Sequence, residues 1–158
     1  MRNAVNDTTM LDVTIRRATL ADLDALAPLF DGYRRFYAQA GDVQRARDFL
    51  EARMSQNESV VLLAFQGDRP AGFTQLYPIF SSVRTARTWL LNDLFVAGHA
   101  RRGGVARALL DAAAEFGRSE GAAGLVLETT VDNAPARALY RAAGWNEDAT
   151  QWYSLSLG

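Results

Sequence analysis

The order of apolar and polar residues divides the chain into extended segments and amphipathic helices. Val60–Phe65 is a continuous apolar run, which is typical of a strand buried on both faces. Gln66–Arg69 has the composition of a hairpin turn, and Pro70–Ile79 is predicted to return as the next strand. A polar connection at Ser81–Arg87 leads to a further strand, Thr88–Val96. Hairpin-linked strands of this kind predict antiparallel pairing.

Two helices are predicted between a first short strand, Val13–Arg16, and that group of strands. Thr19 and Asp22 have the spacing of a capping box, which starts the first helix. Pro28 lies inside this helix and is expected to kink or divide it, because proline removes a backbone donor. The second helix is predicted at Val43–Met54, where apolar residues share one face.

The stretch Leu91–Leu110 combines a strand, a turn rich in glycine and arginine, and the start of a helix. Apolar residues mark one face of this helix: Val105, Leu109, Ala112, Ala113 and Phe116. Unpaired amides at a helix N-terminus favour a bound anion. Arg101, Arg102 and Arg107 add guanidinium groups that suit phosphate, so the turn is a candidate phosphate site.

The C-terminal part is predicted to add a strand at Leu125–Val131, a helix, and a last strand at Trp152–Leu157. Asn133 can cap the helix, and Gly144 suits the left-handed residue that ends it. A strand–helix–strand crossover requires a parallel pair of strands. The expected fold is therefore α/β, with a mixed, mostly antiparallel sheet, a central parallel pair and helices on both faces. A ligand is expected where that pair meets the glycine–arginine turn.

Composition removes several classes of chemistry. The chain of 158 residues has no cysteine, one histidine, and arginine at all 17 basic positions. Thiol nucleophiles, Schiff-base lysines and clusters of histidine around a metal are therefore excluded, and no metal site is predicted. The one histidine, His99, lies in the glycine–arginine turn and is interpreted as a solvated loop residue. The net charge of −1 gives no support for binding to nucleic acid.

The length of the chain and its first residues indicate how the chain is organised. Residues 1–10 are polar and are expected to be flexible, and residues 11–158 are expected to form a single domain. No apolar run reaches the length of a membrane span, and the first residues lack the apolar core of a signal peptide. The default expectation is a cytoplasmic protein without a membrane partner.

Three blocks of sequence together resemble the GNAT family of N-acetyltransferases. Arg101–Ala106, with the sequence RRGGVA, resembles the family signature of Gln or Arg, two residues, Gly, one residue, then Gly or Ala. Asp93–Val96 is similar to the strand that precedes this signature. Asn133–Trp145 is similar to the family's second cofactor block. The resemblance implies about seven strands, acetyl-CoA as co-substrate, and direct acetyl transfer to a primary amine.

The resemblance also implies roles for individual residues. Backbone amides from Arg102 to Ala106 are expected to hold the pyrophosphate, and Phe95 and Val96 are expected to pair with the pantetheine arm as an added strand does. Tyr140 is expected near the sulfur, where its phenol can protonate the leaving thiolate. The full set expected to bind the cofactor is Phe95, Val96, Arg101, Arg102, Gly103, Gly104, Val105, Ala106, Asn133 and Ala136.

Acetyl transfer to an amine also requires a group that receives a proton from the amine, and several residues are candidates for this role. An alkyl ammonium has a pKa of about 10.4, so a proton must leave before attack. Asp93 is the best carboxylate, either as catalytic group or as anchor for a cationic substrate, with a structural hydrogen-bonding role as the alternative. Polyamine-type relatives often carry Glu at the preceding position, which here is Asn92, and Asn cannot take a proton. Asn92 is instead a candidate for binding the substrate, for example by holding a water. Neighbours on a strand also face opposite sides. Glu128 is a second candidate carboxylate.

Tyr33 and Tyr37 lie where this family usually forms the wall that contacts the acceptor. A cationic amine could stack on these rings, although plain helix packing is the alternative. The predicted function is acetyl transfer to a small, polyamine-like amine or to a protein amine. The alternative is a catalytically inactive module that senses or binds acyl-CoA, and a homodimer is possible by analogy with the family.

Overall fold

The computed structural model describes residues 12–158, in two compact units. The first unit extends to Glu128, and the second comprises Thr129–Gly158. The segment 1–10, which was expected to be flexible, lies outside the described residues. The single domain predicted for residues 11–158 stays a prediction, and each unit is described below by itself.

The helices and strands of the first unit follow the predicted order. Their bounds are β1 Val13–Arg17, α1 Leu23–Phe36, α2 Val43–Ser55, β2 Val60–Gln66, β3 Arg69–Ser81, β4 Ala86–Val96, α3 Val105–Ser119 and β5 Gly124–Val126. Short 3-10 turns at Leu20–Asp22 and Gly98–Ala100 precede α1 and α3. The second unit contains α4, Ala134–Ala142.

One sheet holds the five strands in the order β1-β2-β3-β4-β5. The first three pairings are antiparallel, and β4 pairs with β5 in parallel. These pairings confirm the mixed, mostly antiparallel sheet with one parallel pair.

The predicted number of about seven strands is wrong for the described chain. Of the strand predicted at Leu125–Val131, only Leu125 and Val126 lie in β5. The segment Trp152–Leu157 forms no strand, and its apolar side chains are exposed. Alternation of side chains is necessary for a half-buried strand but does not supply the hydrogen-bonding partner that a strand needs.

Helices cover both faces of the sheet in the first unit. Leu63 pairs with Phe73, and both side chains are fully buried in a cluster with residues of α1 and α2. On the opposite face, Gly72 lies so close to Val105 of α3 that an added Cβ would be 3.4 Å from the valine side chain. Each large apolar side chain buried in this way stabilises the fold by about 1.5–3 kcal/mol.

The first helix continues through its proline. Pro28 lies inside α1 and does not divide it, contrary to one of the two outcomes expected from the sequence. Proline removes one backbone hydrogen bond, whereas the buried face of α1, which includes Leu26 and Phe30, is packed in the core. The capping box of Thr19 and Asp22 is present as predicted.

Candidate functional site

A β-bulge interrupts the pairing of β3 with β4. Gln75 pairs with Asp93, whereas the next residue of β3, Leu76, pairs with Leu91. Asn92 is therefore an extra residue in β4 without a partner in this ladder. A bulge bends its strand and changes the direction of nearby side chains, and bulges are frequent beside functional sites.

The other side of β4 is open beyond the middle of the strand. The parallel pairing with β5 ends at Leu90 and Val126. In the part of the chain that the structure describes, no further strand pairs with β4 on that side. The backbone from Leu91 to Val96 can therefore bind an extended ligand as an added strand would. Phe95 and Val96, the predicted pantetheine-binding residues, lie on this segment.

Asp93 is a buried carboxylate held by neutral donors. Only 2% of the surface of Asp93 is exposed to solvent. Gln75 donates from Nε2 to Oδ2 at 2.5 Å, and Asn92 donates from Nδ2 to Oδ1 at 2.8 Å. Burial raises the pKa of the Asp93 carboxyl, while the hydrogen bonds from Gln75, Asn92 and Tyr33 lower it in part. The result is a partly compensated negative charge directly beside the bulge.

The contact between Asn92 and Asp93 differs from the sequence expectation. Neighbours in a regular strand face opposite sides of the sheet, so Asp93 was not expected to take the place of a side chain at position 92. Asn92 is exposed and Asp93 is buried, in agreement with that rule. At the bulge, however, the two side chains are hydrogen-bonded to each other. The structure therefore brings together the two residues whose relation the sequence left open.

Two tyrosines share the environment of the carboxylate. The pKa of Tyr33 is raised, first by burial and then by the negative charge of Asp93. The pKa of Tyr77 is raised to about 12, again first by burial and then by Asp93. Both phenols therefore stay protonated at neutral pH. Tyr37 contacts Tyr33 with a centroid distance of 5.0 Å and is exposed at the end of α1.

Gln75 was missed by the sequence analysis, and Tyr77 was not placed near Asp93 by it. The only local signal was a glutamine within an apolar strand, with a tyrosine two residues later on the same face. Their proximity to Asp93 depends on the register between β3 and β4, which the sequence does not state. Among the predicted residues, Tyr33, Asn92 and Asp93 do come together.

The glycine–arginine turn leads from the open segment of β4 to α3. Gly104 precedes the helix with φ of 78°, a left-handed conformation that favours glycine, and an added Cβ would meet open space. A Cβ at Gly103 would lie 2.8 Å from Nε2 of Gln66, so a side chain does not fit there without displacement. The first turn of α3 has no acidic residue. Its amides can therefore hold an anion.

The remaining predicted residues of this turn contribute in different ways. Arg101 donates from Nε to the carbonyl of Val96 at 3.3 Å, which ties the turn to the end of β4. Arg102 is exposed and has φ of 63°. The side chain of Val105 is buried, so only its backbone faces the turn, and Ala106 follows it in α3. A phosphate-bearing ligand is the best match for this set of amides and guanidinium groups.

Three predicted residues belong to the second unit. Asn133 caps α4, as predicted, because its Oδ1 accepts from the amide of Ala136 at 3.3 Å. Tyr140 lies on the same helix with its ring centroid 6.5 Å from that of Trp145. Gly144 has φ of 87°, as expected at the end of this helix. The roles of Asn133, Ala136 and Tyr140 toward a ligand stay predictions.

Two further candidates lie outside the group of side chains at Asp93. Glu128 is exposed in irregular chain two residues after β5. His99 is exposed in the 3-10 turn, in agreement with its interpretation as a solvated residue. Over residues 12–158, no group of three or more His, Asp or Glu side chains is arranged to hold a metal ion. No helix within those residues has the length and apolar character needed to cross a bilayer.

Comparison with known proteins adds independent findings. The model of the acetyltransferase (GNAT) family matches residues 24–145. An uncharacterised N-acetyltransferase of Bacillus subtilis (strain 168), YhfO, is 48% identical over 136 residues, which cover 86% of this chain and 91% of that protein. The crystal structure of a probable acetyltransferase superimposes with a TM-score of 0.87 at 42% identity, covering 92% of this chain and 98% of that one.

A more distant structure shares the fold. It is an aminoglycoside N-acetyltransferase in complex with CoA, with a TM-score of 0.79 and 17% identity, and the match covers 93% of this chain and 96% of that one.

Proposed function

The chain belongs to the GNAT family of acetyltransferases, and from this premise we propose that it transfers the acetyl group of acetyl-CoA directly to a primary amine. One observation carries the proposal. The unpaired side of β4 runs from a bulge with a buried carboxylate, Asp93, towards the turn at Gly103 and Gly104, whose amides suit an anion. An extended ligand with an anionic end and a reactive end matches this arrangement.

The residues present fit the parts of acetyl-CoA. The amides from Arg102 to Ala106 and the guanidinium of Arg101 suit the pyrophosphate. The backbone of Phe95 and Val96 suits the amides of the pantetheine arm. The structure of an aminoglycoside acetyltransferase of this fold in complex with CoA supports the assignment. Asn133 and Ala136 are proposed as further contacts, as the family resemblance implies.

The proposed reaction balances with one proton released. The ammonium of the acceptor first loses a proton to the solvent, and its nitrogen then forms a bond to the acetyl carbon while the bond from that carbon to sulfur breaks. Tyr140 gives its phenolic proton to the departing thiolate and takes back the second proton that the nitrogen loses. The products are an N-acetyl amine and CoA with a free thiol. Acetyl-CoA supplies the activated thioester.

The acceptor is proposed to approach the bulge. Tyr33 and Tyr37 offer aromatic rings, Asn92 offers an exposed amide, and Asp93 supplies negative charge behind it. Glu128 is kept as a second acidic group for the acceptor. A small cationic amine and an amine of a protein both match these features, and the aminoglycoside acetyltransferase of the same fold is an example of a small-amine enzyme.

A second candidate is an acyl-CoA-binding module without turnover. It is favoured by the burial of Asp93, which at 2% exposure cannot easily take a proton from an acceptor. Such a module would bind acetyl-CoA and leave every amine unchanged.

A panel of amines tests the choice between these two functions. Purified protein is incubated with acetyl-CoA and polyamines, aminoglycosides or peptides, with detection of the released thiol and of the acetylated product by mass spectrometry. Tyr140→Phe is expected to lower kcat about 100-fold. Tyr153→Phe is the matched control in the same unit, because Tyr153 is 93% exposed. Equal rates for Tyr140→Phe and wild type would contradict the role of the phenol.

A further inference from the structure

We propose that Asp93 is a positioning residue that, together with Gln75, orients the side-chain amide of Asn92, so that Oδ1 of Asn92 accepts a hydrogen bond from the acceptor amine. This inference rests on the proposed function and specifies how the acceptor is recognised. It replaces direct contact of the amine with Asp93 by contact with the exposed residue beside it.

The chemistry of the two groups fixes the orientation of Asn92. A carboxylate has no proton to donate, so only the amino group of the amide can face it. Nδ2 of Asn92 donates to Oδ1 of Asp93 at 2.8 Å. The carbonyl oxygen of the amide must then point away from the carboxylate. Because Asn92 is exposed, this oxygen is presented where an incoming N–H group can reach it.

Burial explains why the acceptor meets Asn92 first. Asp93 is 2% exposed, and both of its carboxylate oxygens already accept a hydrogen bond from a side-chain amide. A direct approach of an amine would have to displace Gln75 or Asn92. The negative charge behind the amide instead strengthens the carbonyl oxygen of Asn92 as an acceptor, since linked hydrogen bonds polarise one another.

Gln75 holds the second oxygen of Asp93, but one of its own polar atoms is left unpaired within the described part of the core. It is fully buried, and its Nε2 donates to Asp93, which leaves its Oε1 buried without a hydrogen-bond partner among the described residues. Buried polar atoms without partners are rare in proteins. The orientation of this glutamine therefore favours the contact with the carboxylate over the stability of the core.

The bulge places this amide beside the open segment of β4. Asn92 is the extra residue of the bulge, and the segment from Leu91 to Val96 is the proposed place of the pantetheine arm. A hydrogen bond from one N–H of the amine to Asn92 leaves the lone pair of the same nitrogen free for attack. The acceptor must therefore carry at least one N–H bond in its neutral form, as the proposed primary amine does.

The proposal is tested with two single variants and their combination. Asn92→Ala removes the acceptor oxygen, and Gln75→Met removes a donor to Asp93 at similar volume. Each is expected to raise the KM of the amine about tenfold, the effect of one lost hydrogen bond, with kcat nearly unchanged. The double variant is expected to show no more than the larger single effect, because both changes act through one contact.

Gln44→Met is the matched control. Nε2 of Gln44 donates to the carboxylate of Asp48 at 2.8 Å, which is the same type of bond on the exposed face of α2. Its KM for the amine should equal that of wild type. Unchanged KM in Asn92→Ala, or fully additive effects in the double variant, would overturn the proposal. If Gln75→Met fails to fold, the exposed Asn92→Ala still decides.

A spectroscopic readout separates this proposal from the proposed function. The side-chain NH2 signals of Asn92 in a proton–nitrogen correlation spectrum should shift with the titration of Asp93 and lose that shift in Asp93→Asn. Signals that do not respond overturn the positioning role even in an active enzyme. If the signals respond in a protein that binds acetyl-CoA but acetylates no amine, the contact between Asp93 and Asn92 is supported. The proposed function and the recognition of the amine by Asn92 are then both overturned.

Discussion

Two carboxylates are buried among the described residues, and their partners differ. Asp31 in α1 is 4% exposed, lies 3.1 Å from Nε of Arg35 and 3.7 Å from Nη1 of Arg34, and accepts the backbone amide of Asp42 at 2.7 Å. These contacts join the end of α1 to the start of α2. The charge of Asp31 is therefore matched by cations that hold a corner of the fold.

Asp93 has no such match. Over residues 12–158 it forms no ion pair, and its hydrogen bonds come from uncharged amide and phenol groups. A buried charge without a counter-charge lowers the stability of the fold. In a buried ion pair, removal of one partner is strongly destabilising, because the other charge is then left unpaired. The comparison indicates that Asp31 serves the fold and that Asp93 serves the site. The predictions below test this difference.

The largest effect is expected from Asp93→Asn. The variant keeps the shape of the side chain but replaces one acceptor oxygen by a donor, so it can no longer hold both neighbouring amides in place. The kcat/KM for the amine should fall about 100-fold, which corresponds to about 2.7 kcal/mol. This exceeds the roughly tenfold effect of Asn92→Ala because the negative charge behind the amide is lost together with the orientation of Asn92. Initial rates of thiol release measure it. A rate and a pH profile equal to those of wild type would remove Asp93 from the mechanism.

Asp31→Asn is expected to change stability instead of activity. The free energy of unfolding should fall by about 2 kcal/mol, because Arg34 and Arg35 lose their buried partner but can still reach water. Urea denaturation followed by circular dichroism gives the value. At temperatures where the variant is folded, kcat/KM should stay within about twofold of wild type. A large loss of activity with unchanged stability would reverse the comparison.

The pH dependence of stability should carry the signature of Asp93. Because burial raises its pKa, the folded state binds the proton more tightly than the unfolded state, whose Asp pKa is about 3.9. The free energy of unfolding of wild type, relative to that of Asp93→Asn, should therefore fall as pH rises from about 3.9 through the folded pKa. Above that pKa the difference should be constant. A difference that increases with pH would mean that the carboxylate is stabilised by the fold.

The smallest effect is expected at an exposed ion pair. Arg16 lowers the pKa of Asp22 to about 2, chiefly through a side-chain hydrogen bond. A lowered pKa contributes stability that is present above the unfolded pKa and is lost as pH falls toward 2. Arg16→Gln should therefore shift the urea midpoint slightly at pH 7 and by less at pH 2, where Asp22 is partly protonated. A shift as large as that of Asp31→Asn would contradict the distinction between exposed and buried pairs.

The sequence predicted those features that depend on local pattern. The glycines before α3, the cap at Asn133 and the buried strand at Val60–Phe65 all follow from residue types a few positions apart. The GNAT family itself was recognised from three such blocks and is confirmed by the family match over residues 24–145.

The features missed by the sequence depend on pairing between distant segments. Gln75 contacts Asp93 across 18 residues of sequence, and the bulge at Asn92 sets which side chains meet. Neither the bulge nor the register can be read from alternation alone. The same limit explains the error at Trp152–Leu157, which was predicted to be a strand although nothing in its sequence specifies a pairing partner.

Calorimetric titration of the full chain with acetyl-CoA tests the central claim most directly. The open segment of β4 and the turn at Gly103–Gly104 together predict saturable binding of one acetyl-CoA per chain, with a Kd well below about 1 mM. The binding free energy should therefore be more favourable than about −4.1 kcal/mol, the value for a Kd of 1 mM. Replacing Gly104 by Val, in a conformation that disfavours side chains, should weaken this binding. Absence of binding by wild type at millimolar acetyl-CoA would contradict the account.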